Sequence, residues 1–338
     1  MSDNQKEVEE KMAKAIFISG DGWLSVFDLL EPSQLGLGIA LVSHRFDFYV
    51  DEHFKTRRWA LKPMEIKFKF EADGTNGWEI VNYDGKLLPT PQKALPKKVV
   101  GFKNISIKYI DQNAIVFLRN FRQLFASCPI NLIINTNCER TLESILRNIW
   151  PMIAKNIRGM QLSEYAFSGL RQFVPSILYD CPSLHVINAY SGGFFAEFPA
   201  GDSANASNGQ ALAKWLFTLR SDNVPKVFKC WLQRWWYGNL ASNIEDLKAA
   251  FANASSPVNF IVVIWRPPAF VGSILAFDQI NELTREQLTL KRMNDMGHIL
   301  LIRCPIVRDT NKWAKLEKEA IDWQFNDQWN RIDIYRSI

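Results

Sequence analysis

The side chain whose type and neighbours best suit nucleophilic chemistry is Cys230, which lies between Lys229 and Trp231. A thiol nucleophile needs an adjacent base, and His185 is the histidine that a stacked strand–helix arrangement could bring near it. A single cysteine within a strand usually acts as a small apolar core residue. We therefore predict a structural role for Cys230. A hydrolase on an α/β sheet stays open as an alternative, and it requires a deep pocket that holds such a cysteine or histidine.

Other patterns that carry catalysis or bind cofactors are missing from the sequence. It contains no P-loop, no GxGxxG, no HExxH and no GxSxG motif. The five cysteines form no CxxC pair and only four histidines are present, so we expect no structural zinc. We predict a chain with no catalytic residue, no metal and no cofactor. Such a chain would act by binding other proteins.

Composition and charge define the class of protein. A length of 338 residues corresponds to about two domains. Hydrophobic residues make up 47% and charged residues 22%, which is typical of globular proteins. The net charge of +5 comes from 40 basic and 35 acidic residues that are interspersed, with no run of five lysines or arginines. We therefore expect no nucleic-acid partner.

The sequence also bears on the cellular compartment. The opening MSDNQKEVEEKMAK is polar and lacks the apolar region of a signal peptide. No run of about 18 apolar residues is present, so we expect no membrane span. An odd number of widely spaced cysteines fits a reducing compartment. The expected location is the cytoplasm or the nucleus.

After a charged lead-in at residues 1–15, residues 16–61 predict a helical module. Asp21 is a candidate N-cap, and Pro32 should break the first helix from the second. One face of the first helix is apolar, with Trp23, Val26, Phe27 and Leu30 at helical spacing. Two or three short helices in about 40 residues cannot bury all this apolar surface among themselves. The module should need a partner.

Residues 62–97 change to a strand pattern. Met64–Phe70 alternates polar and apolar residues, as in a strand with one face in water. Asp84 and Gly85 form a strong turn signal between two further apolar segments. Prolines then follow at positions 89, 91 and 96. We predict a short β-hairpin linker.

Residues 98–308 contain a strand–helix repeat. The centres of four predicted strands are Ile105, Leu132, Met160 and Ile187, spaced 27, 28 and 27 residues apart. This period lies in the range of leucine-rich repeats, whose units stack into a β/α solenoid. Later centres are Cys230, Ile261 and Leu288, after an insertion between Ser191 and Asn208. The segment 309–338 is expected to be a capping helix and tail. A doubly wound α/β sheet is the rival fold.

Two segments carry a resemblance to a known family. Residues 21–35, DGWLSVFDLLEPSQL, and residues 40–46, ALVSHRF, followed by Trp59, resemble an F-box. The whole chain is similar to F-box proteins with a C-terminal domain like leucine-rich repeats, as in the expanded families of parasitic nematodes. The resemblance implies an α/β (α+β) chain in which an F-box-like helical module precedes the hairpin linker and the solenoid.

The resemblance also implies a function. An F-box binds a Skp1-type adaptor and, through it, a cullin, and the repeats bind the target protein of the resulting ubiquitin ligase. The positions that would form or support the Skp1 contact are Trp23, Leu24, Val26, Phe27, Leu30, Pro32, Leu35, Leu41 and Val42. The implied role is a non-catalytic substrate receptor of an SCF-type (Skp1–cullin–F-box) ubiquitin ligase.

A surface for the unknown target protein is suggested by two aromatic clusters, because aromatic side chains often dominate protein interfaces. One cluster is Phe194, Phe195 and Phe198, and the other is Trp231, Trp235 and Trp236. Packing between repeats is the other interpretation of both clusters. The alternative function is a repeat-domain binding module without a link to ubiquitin, whose N-terminal helices only cap the repeats.

Overall fold

The structure is a computed structural model of the chain. It describes all residues except 1–17, 57–58, 71–75, 89–94, 96–98, 191–193, 232–236, 266–274, 294–297 and 336–338.

The described chain begins with a helical segment. It comprises α1 (Gly20–Phe27), α2 (Pro32–Leu37), a 3₁₀ turn (Ile39–Leu41) and α3 (His44–Thr56). The N-cap of α1 is Ser19, whose hydroxyl accepts a hydrogen bond from the amide of Gly22 at 3.2 Å. Asp21, the predicted N-cap, is not the cap itself. It lies in the first turn, where its negative charge interacts favourably with the helix dipole. Pro32 stands in the first turn of α2, where its missing N–H costs nothing.

Four strands follow the helices: β1 (Trp59–Leu61), β2 (Met64–Phe70), β3 (Asn76–Asn82) and β4 (Leu87–Leu88). The predicted hairpin between β3 and β4 is present, and Gly85 adopts φ +74° in its turn. β2 also pairs in parallel with a later strand, through Met64 and Ile105. The hairpin region therefore forms one edge of the main sheet and is not a separate linker.

The middle of the chain alternates strands and helices. The strands are β5 (Val99–Phe102), β6 (Asn104–Ile107), β7 (Ile130–Asn135), β8 (Ile157–Leu162), β9 (Val186–Ala189), β10 (Lys226–Trp231) and β11 (Phe260–Trp265). The helices are α4 (Gln112–Arg119), α5 (Arg122–Ser127), α6 (Glu139–Ser144), α7 (Trp150–Ile153), α8 (Glu164–Phe173), α9 (Asn208–Leu216) and α10 (Tyr237–Ala252). A π-helical turn, Ile145–Ile149, joins α6 to α7.

The C-terminal part adds three antiparallel strands, one helix and a last strand. These are β12 (Phe277–Asn281), β13 (Glu286–Met293), β14 (His298–Pro305), α11 (Thr310–Asp322) and β15 (Arg331–Tyr335).

Thirteen of the fifteen described strands form one mixed sheet, in the order β12-β13-β14-β11-β10-β9-β8-β7-β15-β6-β2-β3-β4. Its centre is parallel and both of its ends are antiparallel. The two remaining strands, β1 and β5, pair with each other. The fold is therefore mixed α/β.

The seven predicted strand centres all lie within strands of this sheet, and the first four share one level of its register. Leu132 pairs with Met160, Met160 with Ile187, and Ile187 with Phe228. The next apolar level, two residues on, contains Ile134, Leu162, Ala189 and Cys230. Side chains of both levels join one large core together with the helices that connect the described parallel strands. Those helices lie on one face of the sheet.

Strand β15 departs from a simple stack of consecutive repeats. It enters from the C-terminus between β6 and β7, and Ile332 pairs with both Ile105 and Leu132. The preceding helix α11 lies on the second face of the sheet, where Trp313 and Ala320 pack over Val227 and Ile261. The C-terminal segment, expected as a cap at the open end, instead covers a face and completes the sheet interior.

Candidate functional site

The helical segment has a small core of its own. Among the described side chains of this segment, Phe27, Leu35, Val50 and Phe54 are the buried apolar ones, and they form a cluster distinct from the two that line the sheet. Trp23 packs edge-on against Phe46, with ring centroids 4.9 Å apart. A cluster of four buried side chains is small for a unit of this length, because short helices leave much of their surface in solvent.

Several large apolar side chains of the same segment are exposed. Leu29 is 85% exposed, Val42 66% and Phe48 58%. Val26 and Leu41 are also exposed. Single exposed apolar residues are ordinary, but five within 23 residues give this small helical unit a large exposed apolar area. We call Val26, Leu29, Leu41, Val42 and Phe48 the apolar set.

The nine positions predicted to form or support the adaptor contact divide into layers. Phe27 and Leu35 are buried, so their role in the fold is internal. Trp23, Leu24 and Leu30 are half-buried and pack against that core. The three exposed positions are Val26, Leu41 and Val42. Pro32 begins α2, and its side chain lies outside the described atoms.

Leu29 and Phe48 were not among the residues predicted for the adaptor contact. Leu29 follows Val26 by three residues, so helical spacing could have placed the two together. Phe48 lies in a charged helix whose apolar residues otherwise face the core.

The second face of the sheet carries a different kind of surface. Strand residues alternate between faces, so the residues between the two core levels point away from the main core. From β6 through β15 to β11 this level contains Ser106, Asp333, Ile133, Gln161, Asn188, Lys229 and Val263. Five of these seven residues are polar, and the face becomes apolar towards β11, where Val263 lies.

Helix α11 covers the apolar end of this face. Val186, Val227, Ile261 and Leu300 are buried beneath it. Lys229 marks the boundary, because its ammonium donates to the carbonyl oxygens of Ile321 at 2.9 Å and Trp323 at 2.6 Å. A cation at the end of a helix stabilises the exposed carbonyls there. Burial lowers the pKa of Lys229 to about 8.

The polar end of the face forms hydrogen bonds between strands. Asn188 donates to Gln161 at 2.9 Å, and the hydroxyl of Tyr190 donates to Asn135 at 2.6 Å. All four of these side chains are partly or fully exposed. Amide and phenol groups can both donate and accept, so this region suits contacts with a polar segment of another protein.

One ion pair lies within the inserted strand, on the same face. Arg331 Nε lies 2.9 Å from Asp333 Oδ1. Burial raises the pKa of Asp333, and the neighbouring Arg331 opposes that rise. Both partners belong to β15, and Arg331 also donates to the carbonyl oxygen of Asn326 at 2.9 Å, in the 3₁₀ turn before that strand.

The aromatic residues predicted to bind a target protein lie in different environments. Phe194 and Phe195 are buried against Phe228, with ring centroids 5.9 and 6.4 Å away. Both side chains belong to the main core. They therefore offer no surface to a partner. Phe198 is half-buried and packs on Phe217. Of the tryptophans, Trp231 is exposed, and Trp235 and Trp236 lie outside the described residues.

Cys230 and His185 do not form a nucleophile–base pair. Cys230 is fully buried in the main core, and burial raises the pKa of its thiol. His185 immediately precedes β9, level with the first residue of β10, whereas Cys230 lies near the other end of that strand. Burial and two nearby arginines lower the pKa of His185 to about 4, so the ring is neutral near pH 7.

Among the described residues, no group of three or more histidine, cysteine, aspartate or glutamate side chains is arranged to hold a metal ion. Within that same part of the chain, every helix is too short or too polar to cross a membrane. Comparison with protein-family models, with curated proteins and with solved structures gives no match in any of the three.

Proposed function

We propose that the chain is a non-catalytic substrate receptor of an SCF-type ubiquitin ligase, in which the N-terminal helices bind a Skp1-type adaptor and, through it, a cullin. The observation that carries the proposal is the exposure of Val26, Leu41 and Val42 on a helical unit with a small core of its own. These are positions at which the F-box-like sequence implies an adaptor contact.

The apolar set offers area that could be buried at an interface. Burying an apolar side chain of this size contributes about 1.5–3 kcal/mol. The apolar set of five residues could supply much of a stable interface if a partner covered it, after the costs of association. A function for the set explains why so small a unit keeps large apolar side chains in solvent.

The sheet supports the second half of the proposal. In the described part of the chain, the helices between the parallel strands lie on one face, and Tyr190 and Trp231 are exposed on the other. In a β/α array such as a leucine-rich-repeat domain, the open strand face is a common place to bind a protein. Gln161, Asn188, Tyr190 and the exposed Trp231 are the side chains that we assign to target binding.

The test is co-expression of the full chain with a Skp1-type adaptor, followed by co-purification. We compare the wild type with Leu41→Asp/Val42→Asp and with a matched control, Val307→Asp, at an apolar position that is 87% exposed. Capture of the wild type and the control, but not of the double variant, supports the proposal. Failure of the adaptor to retain the wild type contradicts it.

A second candidate is a protein-binding module without a link to ubiquitin. It is favoured by the open polar face of the sheet, which needs no adaptor to function. Under this proposal the N-terminal helices serve only the fold, and removing residues 1–56 should lower the stability of the sheet. A stable sheet without those helices would contradict it.

A further inference from the structure

A cavity of about 540 Å³ lies beside the first residue of β10. Its walls come from residues 175–184, from helix α9 and from the turn that follows α9. Cavities of roughly 300–1,000 Å³ are typical of small-molecule sites. The cavity is on the helix-covered side of the sheet, away from both protein-binding surfaces proposed above.

The inner wall of the cavity is apolar. The buried side chains that line it include Leu178, Leu184, Ala211 and Trp215. The rim is exposed and includes Tyr179 and Leu219. A ligand that fills this space therefore needs an apolar body, because a polar body would lose its hydration without gaining hydrogen bonds.

One charged group lines the apolar interior. Lys226 is only 4% exposed, and its ammonium donates to the carbonyl oxygens of Trp215 and Thr218. An ammonium has three N–H donors. Within the described part of the chain these two carbonyls are the acceptors of Lys226, which leaves the third donor for a ligand.

The charges around Lys226 favour an anion. Lys214 and Arg220 also line the cavity, and Asp202 is the carboxylate among the lining residues. Arg220 already binds Asp222 with two hydrogen bonds, at 2.9 and 2.6 Å. Burial and the charge of Arg220 lower the pKa of Lys226 to about 7, so its charged form lacks compensation. An anion at this point would supply the missing counter-charge.

We propose that this cavity binds a small amphipathic monocarboxylate, with its apolar body against Leu178, Leu184 and Trp215 and its carboxylate accepting a hydrogen bond from Lys226. A single buried donor suits one carboxylate oxygen, whereas a phosphate would need several donors. The site goes beyond the proposed function and does not depend on it.

Calorimetric titration of the full chain at pH 6.5 with decanoate tests the site, and decanol serves as the uncharged probe of equal chain length. The variants are Lys226→Met, which keeps an apolar stem, and Lys318→Met, an exposed lysine outside the cavity, as a matched control. A charge-assisted hydrogen bond to a buried ammonium predicts at least about tenfold weaker decanoate binding in Lys226→Met. The control variant should change affinity by less than about threefold. Equal binding of decanoate and decanol overturns the proposal.

A second measurement on the wild type keeps the test decisive if Lys226→Met fails to fold. A photoactivatable diazirine analogue of decanoic acid is crosslinked to the chain, and the attachment sites are mapped by mass spectrometry. We expect attachment within 175–184 and 211–221, reduced by excess decanoate. Attachment only outside these segments, or none, overturns the proposal. In either case the adaptor-capture result is unaffected, so the two proposals fail separately.

Discussion

Arg303 Nη2 lies 2.6 Å from Glu286 Oε2, and both side chains are almost completely buried, at 0% and 1% exposure. The pair joins neighbouring strands β13 and β14. The guanidinium of Arg303 also lies between the rings of Phe217 and Phe251, about 5 Å from each. The other carboxylate oxygen, Glu286 Oε1, accepts a hydrogen bond from the backbone amide of Val258. This pair ties the antiparallel end of the sheet to the helices.

Removing one partner of this pair should be costly. We expect Arg303→Met to lower the free energy of unfolding by about 3–5 kcal/mol, because it leaves the Glu286 carboxylate buried without its counter-charge. The check is urea denaturation, with Lys315→Met of the exposed pair Lys315–Glu319 as the control, which should cost under about 1 kcal/mol. Equal effects for both variants would contradict the assignment.

The pH dependence of stability should reveal the buried Lys226. Its pKa is about 7 in the folded chain against 10.5 for an ordinary lysine. Between these values the folded state has released the proton that the unfolded state still binds. The wild type should therefore gain stability relative to Lys226→Met as pH rises from about 7 to 10, by at most about 1.4 kcal/mol per pH unit. A difference that stays constant from pH 6.5 to pH 9.5 would contradict the lowered pKa of Lys226.

Strand β15 should be essential to the fold. Ile332 is buried and pairs with Ile105 and Leu132 at the centre of the sheet. Ile332→Ala should lower the free energy of unfolding by about 2–5 kcal/mol, measured by thermal or urea unfolding. Ile280→Ala, at an exposed position of β12, should change it by less than about 1 kcal/mol. If the two variants were equally stable, β15 would not occupy the interior of the sheet.

Thiol reactivity should separate the cysteines. Cys128, Cys181, Cys230 and Cys304 are buried, and burial raises the pKa of each of these thiols. Cys138 is half-buried. A thiol-specific reagent on the native chain should therefore modify Cys138 first, and Cys138→Ser should remove the fast phase. Rapid modification of Cys230 would instead support a nucleophilic role for that residue.

Local patterns in the sequence were sufficient to locate strands. The four regularly spaced centres, from Ile105 to Ile187, mark apolar residues that share the main core. Gln161 stands between the apolar residues Met160 and Leu162 in the sequence, and it lies on the second face of the sheet. Patterns of this kind depend on the alternation of side chains within one strand. They can therefore be recognised in the sequence without knowledge of the partner strands.

Contacts between residues distant in the sequence could not be predicted from local patterns. Nothing local to Arg331–Tyr335 indicates that it inserts between β6 and β7, because that pairing joins residues about 200 positions apart. Phe194 and Phe195 follow a glycine-rich stretch typical of an exposed loop, and their burial depends on contact with Phe228. The cavity at Lys226 likewise arises from segments that only the folded chain brings together.

The most direct test of the proposed adaptor contact is hydrogen–deuterium exchange of the full chain with and without a Skp1-type adaptor. The apolar set lies between Val26 and Phe48, so protection on binding should be concentrated in peptides covering residues 20–56. The strands of the sheet should exchange as in the free chain. Protection confined to the sheet, or no change anywhere at saturating adaptor, would contradict the assignment of the N-terminal helices as the adaptor-binding surface.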